Sequence, residues 1–344
     1  MNKMLFLLFF GILLTACDHC CHKETFLYDN KSIEEIYAYA NELNLNYCIV
    51  LLDSTQELSR QYKKRLESVL TSENAIYNLV DVNKPENEWY LKWLCPISLP
   101  LSCVFSYSGT LIDIIPGAAK ESFLYTKDAL SKGESTKFHF INHFNKDKVH
   151  IIPLYDQILK CSMFLRQGMF VNFNDSVLGT LNYPYPYYLR ILGNIIENDT
   201  IGACVAAKEM IKLESPYYLS AYRNEFIIAK KTINPDFDIS SEPNIRVSEN
   251  VITLSDSKVG ETVPFDVMIY NDGKQSLKVS EIYKSCTCLE LKDSDNFSIP
   301  PQDSVMVHFT FKAEEKGEIL RDIFITSNAM NTPILYVKVL ANVL

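Results

Sequence analysis

The sequence predicts a multidomain chain of mixed class, α/β in its first third, helical in its middle and all-β at its end. Three observations carry that division. Short continuous apolar runs alternate with helical-period stretches up to about residue 130. Apolar residues at helical spacing, broken by prolines, dominate the next hundred residues. From about residue 240 the period changes to two, with turn residues between short runs, as an antiparallel sandwich requires. The boundaries this implies are a leader over 1–16, a polar tether over 17–30, an α/β domain over 31–132, a helical spacer over 133–239 and a β-sandwich over 240–344. A chain of 344 residues is too long for one small core, and 47% hydrophobic with 22% charged residues is ordinary globular composition.

The leader has Lys3 as its positive end and an apolar run over 5–14, broken only by Gly11. That run is too short to span a hydrocarbon core of about 30 Å, but it suits the hydrophobic region of a signal peptide. It ends in Leu14-Thr15-Ala16-Cys17, where small residues precede a cysteine. These residues resemble the bacterial lipobox. The resemblance implies cleavage before Cys17, acylation of Cys17 and anchoring of the mature chain to a membrane, since two or three acyl chains hold where one does not. A plain secretory signal or a weak anchor is the alternative. No second apolar run of spanning length follows. Asp18, next to the lipidated position, is a residue that retains lipoproteins at the inner membrane in some bacteria, so the expected location is the cell envelope, facing the periplasm.

The tether carries His19, Cys20, Cys21 and His22. Thiolate and imidazole together suit zinc or copper, but adjacent ligands do not easily close a tetrahedron, so no metal is expected there. The net charge of −9 repels phosphate backbones and argues against nucleic acid as a partner. The 20 tyrosines and 19 phenylalanines are expected mainly to fill cores.

In the α/β part, Ile33, Ile36, Tyr37 and Ala40 recur at helical spacing. Asn46-Tyr47-Cys48-Ile49-Val50-Leu51-Leu52 then reads as a buried strand. Ser54-Thr55-Gln56-Glu57 fits a capping box, opening a helix with Leu58, Tyr62, Leu66 and Val69 as its stripe. Tyr77-Asn78-Leu79-Val80-Asp81-Val82 predicts another strand, and a helical stretch at Trp89–Leu94 follows. Pro100 opens the run to Phe105, Ser108-Gly109 turns it, and Leu111, Ile112, Ile114 and Ile115 complete a hairpin before Gly117 and a helix from Ala118.

This order of elements resembles thioredoxin over roughly residues 31–130. Pro100 falls where that family has its cis-proline, and Gly109 and Gly117 fall at its later glycines; a generic α/β domain is the alternative. The family places a Cys-x-x-Cys pair at the start of the helix after the central strand, where the helix dipole lowers the thiol pKa. Here that place is 53–59, and it holds no cysteine. The resemblance therefore implies a kept fold and a lost redox site, because exchange cannot begin without a thiolate. Cys95 and Cys103, which flank Pro100, remain candidate thiols. Cys48, Cys103, Cys161 and Cys204 stand in apolar stretches and read as small buried hydrophobes.

The middle region predicts helices through Leu154, Ile158 and Leu165, over 187–196, over 201–213 and over 217–229, with breaks at Pro184, Pro186 and Pro216. Leu192-Gly193 with Ala203, Ala206 and Ala207 is similar to one tetratricopeptide helix pair, but such repeats need several units, so a helical spacer is expected. In the last hundred residues, Val263, Phe265, Val267 and Ile269 alternate with polar residues, Asn271-Asp272-Gly273-Lys274 predicts a hairpin turn, and further alternating runs lie at 277–282, 305–311, 319–325 and 335–339.

Gly260-Glu261, Asn271-Asp272-Gly273, Ser285-Cys286-Thr287-Cys288, Ile299-Pro300-Pro301 and Thr326-Ser327-Asn328 together resemble the Ig-like envelope family catalogued as domain of unknown function 1573. The likeness covers 245–344, and Thr287 departs from the glycine usual at its place. Cys286 and Cys288 admit two readings. A disulfide between them would close a strained, easily reduced ring, whereas residues two apart on a strand share a face and simply pack. Packing is the expected arrangement.

No Ser/His/Asp set, phosphate-binding glycine loop, dinucleotide fingerprint or His-Glu-x-x-His occurs. His139, His143 and His150 have no third ligand in sequence reach. The expected function is a non-enzymatic binding or scaffold module without cofactors, tethered through lipid on Cys17 and contacting an envelope protein or cell-wall component. The alternative is a thiol-disulfide oxidoreductase or thiol carrier using Cys286 and Cys288, or Cys95 and Cys103.

Overall fold

The computed structural model describes residues 25–69 and 75–344. The readings of the leader, of Cys17 and of His19 to His22 lie outside the described residues. By contact the chain forms two compact units, one running to Asn83 and resuming over Ser98–Phe138, the other comprising Lys84–Ile97 and His139–Leu344.

The first unit is α/β. Its strands are β1 (Thr25–Asp29), β2 (Tyr47–Leu52), β3 (Ala75–Asp81), β4 (Leu101–Phe105) and β5 (Leu111–Pro116), and its helices are α1 (Ile33–Leu43), α2 (Glu57–Val69) and α4 (Lys120–Lys132). The strands form one sheet in the order β1-β3-β2-β4-β5. β1, β3 and β2 run parallel, and β4 and β5 run antiparallel to their neighbours. Every residue of β2 is buried, which is why its apolar run is continuous and not alternating. Cys48, Val50 and Leu52 pack with Tyr62 and Leu66 of α2 and Phe123 and Leu130 of α4.

Two expectations change here. Thr25–Asp29 was expected in the tether, yet it pairs with β3 as an edge strand; the pairing is made by backbone, which leaves little apolar pattern to read. Ser54 does not cap α2. The turn before that helix is held by Asp53, whose carbonyl accepts the Gln56 amide at 3.0 Å and whose Oδ1 accepts the Thr55 amide at 2.9 Å. Leu58 is 50% exposed, whereas Ser59, Tyr62 and Leu66 face the sheet. The capping box instead opens α1, where Ser32 Oγ accepts the Glu35 amide and Glu35 returns a carboxylate oxygen to the Ser32 amide. Fully buried Asn78 fixes the entry to α1: its Oδ1 accepts the Lys31 amide at 3.1 Å and its Nδ2 donates to the Lys31 carbonyl at 2.8 Å.

The second unit begins with α3 (Trp89–Leu94), which lies in sequence between β3 and β4. Its other helices are α5 (Lys148–Arg166), α6 (Asp175–Thr180), α7 (Pro184–Ile196), α8 (Thr200–Ile211), α9 (Pro216–Ala221) and α10 (Arg223–Ile233). Pro184 and Pro216 each stand at a helix start, where a missing N–H costs nothing. The helix expected over 217–229 is two helices, divided at Tyr222, whose φ of −124° leaves the helical region. Tyr222 turns there to bury its ring and donate to the Lys92 carbonyl at 3.0 Å. Tyr183 donates to the Trp93 carbonyl and Tyr155 to the Leu94 carbonyl. A helix end leaves its last carbonyls without intrahelical partners, and three tyrosines from the helical layer fill three of those places on α3. Lys92 adds ion pairs to Glu225 at 2.8 Å and Glu88 at 3.1 Å.

The remaining strands are β6 (Ile245–Val247), β7 (Val251–Thr253), β8 (Thr262–Asn271), β9 (Leu277–Lys284), β10 (Leu289–Leu291), β11 (Phe297–Ile299), β12 (Ser304–Lys312), β13 (Gly317–Ser327) and β14 (Ile334–Val343). They form two sheets, β10-β12-β8-β6 and β11-β9-β13-β14-β7. Their alternating inward residues make one core, including Val267, Ile269, Val279, Phe309, Ile323, Ile325 and Val337. The predicted hairpin at Asn271-Asp272-Gly273-Lys274 is a crossover, because β8 and β9 lie in different sheets. Asn271, fully buried, organises it. Its Nδ2 donates to the carbonyls of Gln275, Ile299 and Pro300 at 2.7–3.1 Å, and its Oδ1 accepts the Asn244 and Gly273 amides. Helices and sandwich, expected as separate domains, share one unit: Arg223 Nε donates to the Met330 carbonyl at 2.7 Å, and Lys230 pairs with Glu242 at 2.8 Å. Among the described residues, no helix is long and apolar enough to cross a membrane.

Two stability measurements check this account. A Cβ at Gly273 would sit 2.2 Å from the Glu242 carbonyl oxygen and 2.7 Å from the Asn244 nitrogen, both backbone. Gly273→Ala should therefore lower the unfolding free energy by about 2 kcal/mol or more in urea titration. Tyr155→Phe, which strips the Leu94 carbonyl of its donor, should cost about 1–3 kcal/mol with secondary structure unchanged.

Candidate functional site

Residues 53–59 of the α/β unit, leading into α2, form a hydrogen-bonded turn. Asp53 Oδ1 accepts from the Thr55 hydroxyl and from Asn83 Nδ2, both at 2.6 Å, and Oδ2 accepts from Gln56 Nε2 at 2.9 Å. Asp81 Oδ1 takes the Ser54 amide at 3.3 Å and the Asn83 amide at 3.2 Å. Burial pushes both carboxyls up, but the hydrogen bonds from Thr55, Asn83 and Gln56 on Asp53, and from Ser54 and Asn83 on Asp81, hold both below the usual aspartate value. Both are ionised acceptors at neutral pH, so neither has a proton to donate. A cavity of about 150 Å³ beside them is lined by Ser54, Ser59, Arg60, Lys63 and Asp81, among others. Its cations are already engaged: Lys63 reaches Asp29 at 2.9 Å, and Arg60 holds Glu57 together with the Ser54 and Thr55 carbonyls.

The Leu99–Pro100 peptide is cis, and the Pro100 carbonyl accepts the Gly117 amide at 2.9 Å. Cys103, two residues into β4 from Leu101, is fully buried and unbridged, and burial first, then Cys48 and Asp113, raises its thiol far above the ordinary value. Cys48 on β2 is raised by burial too. In the other unit Cys95 closes α3 in the left-handed region (φ 44°), free and buried, 3.9 Å from the Tyr217 hydroxyl. Burial raises it as well, against hydrogen bonds from Tyr222 and Tyr217. Cys161 is pushed up by burial to about 12. None of these thiols has the exposed, electropositive surroundings that make a thiolate.

The sandwich differs. Cys286 and Cys288 are joined by a disulfide. The expectation that they merely pack on one strand face fails because they are not in a strand: β9 ends at Lys284 and β10 begins at Leu289, and the turn between brings their Cα atoms to 5.3 Å. Arg321 Nε lies 3.4 Å from Cys288 Sγ.

The outer face of the larger sheet carries a row of aromatics. Tyr283 and Tyr336 both stand opposite Phe324 in register, with ring centroids 5.6 and 5.0 Å apart, and the two tyrosines are 57% and 56% exposed. Leu320 and Leu340, paired with each other, are exposed on β13 and β14. Each of these aromatics occupies an outward position in an alternating run, between Ile323 and Ile325 for Phe324, so the pattern itself held the signal. Arg321 had no such signal. His143, exposed, lies with its ring 5.6 Å from that of Tyr217, and partial burial lowers its pKa. Among the described residues no three His, Cys, Asp or Glu side chains are grouped to hold a metal.

Residues 245–343 match the family model described as Protein of unknown function (DUF1573), as their motifs implied. No curated protein matches the chain. Among solved structures it is similar to a protein of unknown function from Porphyromonas gingivalis, at 21% identity over 32% of this chain and 50% of that one, with a TM-score of 0.28. This chain thus spans half the length of that protein. It is also similar to a PapD-like domain of human CEP192 (12% identity, 33% and 92% covered, TM-score 0.27) and to a FixG-related protein from Vibrio parahaemolyticus (7% identity, 29% and 95% covered, TM-score 0.23).

The raised thiols set a pH dependence. A thiol whose folded value exceeds its unfolded one keeps its proton longer in the folded state, so its stabilisation is complete below about pH 8.5 and declines as pH rises towards the folded value. Unfolding free energy should therefore fall from about pH 8.5 upward. Maleimide at neutral pH should leave Cys48, Cys95, Cys103 and Cys161 unlabelled until denaturant is added, as read by peptide mass mapping.

Proposed function

We propose that the chain is an envelope lipoprotein, tethered through Cys17 and facing the periplasm, that acts as a non-enzymatic contact module. Its α/β unit is a thioredoxin-like domain without redox chemistry. The sequence Leu14-Thr15-Ala16-Cys17 supports the tether. The strand order β1-β3-β2-β4-β5 and the cis bond before Pro100 support the fold assignment. The observation that carries the reading is the turn at 53–59, which holds no cysteine, where Asp53 is bound by Thr55, Gln56 and the distant Asn83, and every nearby cysteine is buried. An α/β unit built this way offers surfaces and not thiol turnover. The aromatic row of Tyr283, Phe324 and Tyr336 is the contact face, since large exposed rings on a rigid sheet bury much area at little entropic cost. An envelope protein or a cell-wall component is the partner.

Cys17→Ala should move the chain from the membrane to the soluble fraction, and mass spectrometry of the mature N-terminus should find acylated cysteine. Tyr283→Ala together with Tyr336→Ala should reduce co-purification of envelope partners by about tenfold or more without lowering the thermal midpoint. Disulfide reductase turnover abolished by substituting Cys48 or Cys103 would overturn the redox-inactive assignment.

A further inference from the structure

The Cys286–Cys288 disulfide has no use in the contact-module reading. We propose that it is a dithiol-exchange site of fixed polarity, in which an incoming thiolate attacks Cys286 and Cys288 leaves as a thiolate held by Arg321.

The turn carrying the pair crosses from one sheet to the other, since β9 and β10 belong to different sheets. Each flank is clamped. Ser285 donates its amide to the Asp322 carbonyl at 2.9 Å and accepts the Asp322 amide on Oγ at 2.9 Å, which ties it to β13. The Cys288 carbonyl accepts the Lys312 amide at 2.8 Å, which ties it to β12. Opening the sulfur bond therefore leaves both cysteines anchored, so the site can close again.

The two sulfurs are not equivalent. Cys288 is 6% exposed and packs into the sandwich core, whereas Cys286 lies at the edge of that core and is only partly buried. An attacking thiolate approaches the accessible sulfur. Charge selects the same direction. Arg321 Nε donates to Cys288 Sγ at 3.4 Å, while its Nη1 donates to the Leu320 carbonyl at 2.9 Å and its Nη2 lies 3.7 Å from Glu315. A guanidinium beside the departing sulfur stabilises the thiolate, and a leaving thiol of lower pKa leaves faster. Arg321 is thus a positioning and charge-stabilising residue; the reacting atoms are the two sulfurs.

The chemistry balances with a dithiol as co-reactant. Its first thiolate attacks Cys286 Sγ, forming a mixed disulfide while the bond to Cys288 breaks and its electron pair stays on Cys288. Its second thiol, once deprotonated, attacks the mixed disulfide and expels Cys286 as thiolate. Two electrons pass to the protein, which ends as the dithiol, and the co-reactant leaves as a disulfide. The reverse sequence donates a dithiol's electrons back. The inference stands independently of lipid on Cys17 and of the aromatic face, and its readouts involve neither.

In the folded full chain, dithiothreitol without denaturant should open the Cys286–Cys288 bond, and oxidised glutathione should restore it. Single variants test the polarity: in Cys288→Ser, Cys286 should take up glutathione from its disulfide, and in Cys286→Ser, Cys288 should stay unmodified, both read by peptide mass mapping. Arg321→Met should slow reduction by dithiothreitol about three- to tenfold, and Arg321→Lys should restore most of the rate. Circular dichroism checks the fold of each variant, and the wild-type reduction needs none of them. A bond that opens only after unfolding, glutathione on Cys288 as fast as on Cys286, or equal rates in the wild type and both folded Arg321 variants would overturn the proposal.

Discussion

The constraint on which this molecule depends is that backbone groups leaving regular structure inside a core must find partners. Side chains supply them at three places. Tyr155, Tyr183 and Tyr222 donate to the last carbonyls of α3. Asn271 gathers three carbonyls and two amides where the chain passes between sheets. Asp53 holds the turn that opens α2. At α3 and at Asn271 a regular element ends inside a core, where no water can take over its unpaired groups, and a buried group left unsatisfied costs more than the bond itself would contribute. The short α3 shows the consequence most clearly. Six residues make a helix too short to stand by itself, so its place is decided by what completes its end. That is why a segment lying between two strands of one unit belongs to the other.

The same rule separates the chemistry of the two halves. At the head of α2 the polar groups engage one another: Asp53, Asp81 and Asn83 accept and donate within the turn. At the turn before β10 the backbone is satisfied by Asp322 and Lys312, and Arg321, held by the Leu320 carbonyl and Glu315, keeps its Nε on Cys288 Sγ. A rigid frame with one labile bond is a different device from a helix start that activates a thiol. The cysteine-free turn at the head of α2 and the bridged pair in the sandwich each have their own local cause.

Much of the frame was legible. β2 was readable from its unbroken apolar run, β8, β12 and β13 from their alternation, and the family likeness of 245–343 from its turn motifs. Three errors share one origin. Ser54 looked like a cap because cap signatures are local, but a neighbouring aspartate with partners on a distant turn outcompeted it. Asn271-Asp272-Gly273 looked like a hairpin because the composition of a tight turn does not say which sheet the next strand joins. Residues 217–229 looked like one helix because the period continues through Tyr222, whose hydroxyl has a partner 130 residues away.

The sequence by itself determined what depends on near neighbours: which runs are strands or helices, which faces are apolar, and that no cysteine stands at the head of α2. Hydrophobic period and the absence of a residue type need no knowledge of distant chain. Only the tertiary structure decided which sheet each strand joins, that α3 lies with the helices, that Cys286 and Cys288 bond, and that Arg321 stands beside them. Those outcomes turn on hydrogen bonds and charges between residues tens of positions apart, and no local pattern encodes a partner that only folding brings within reach.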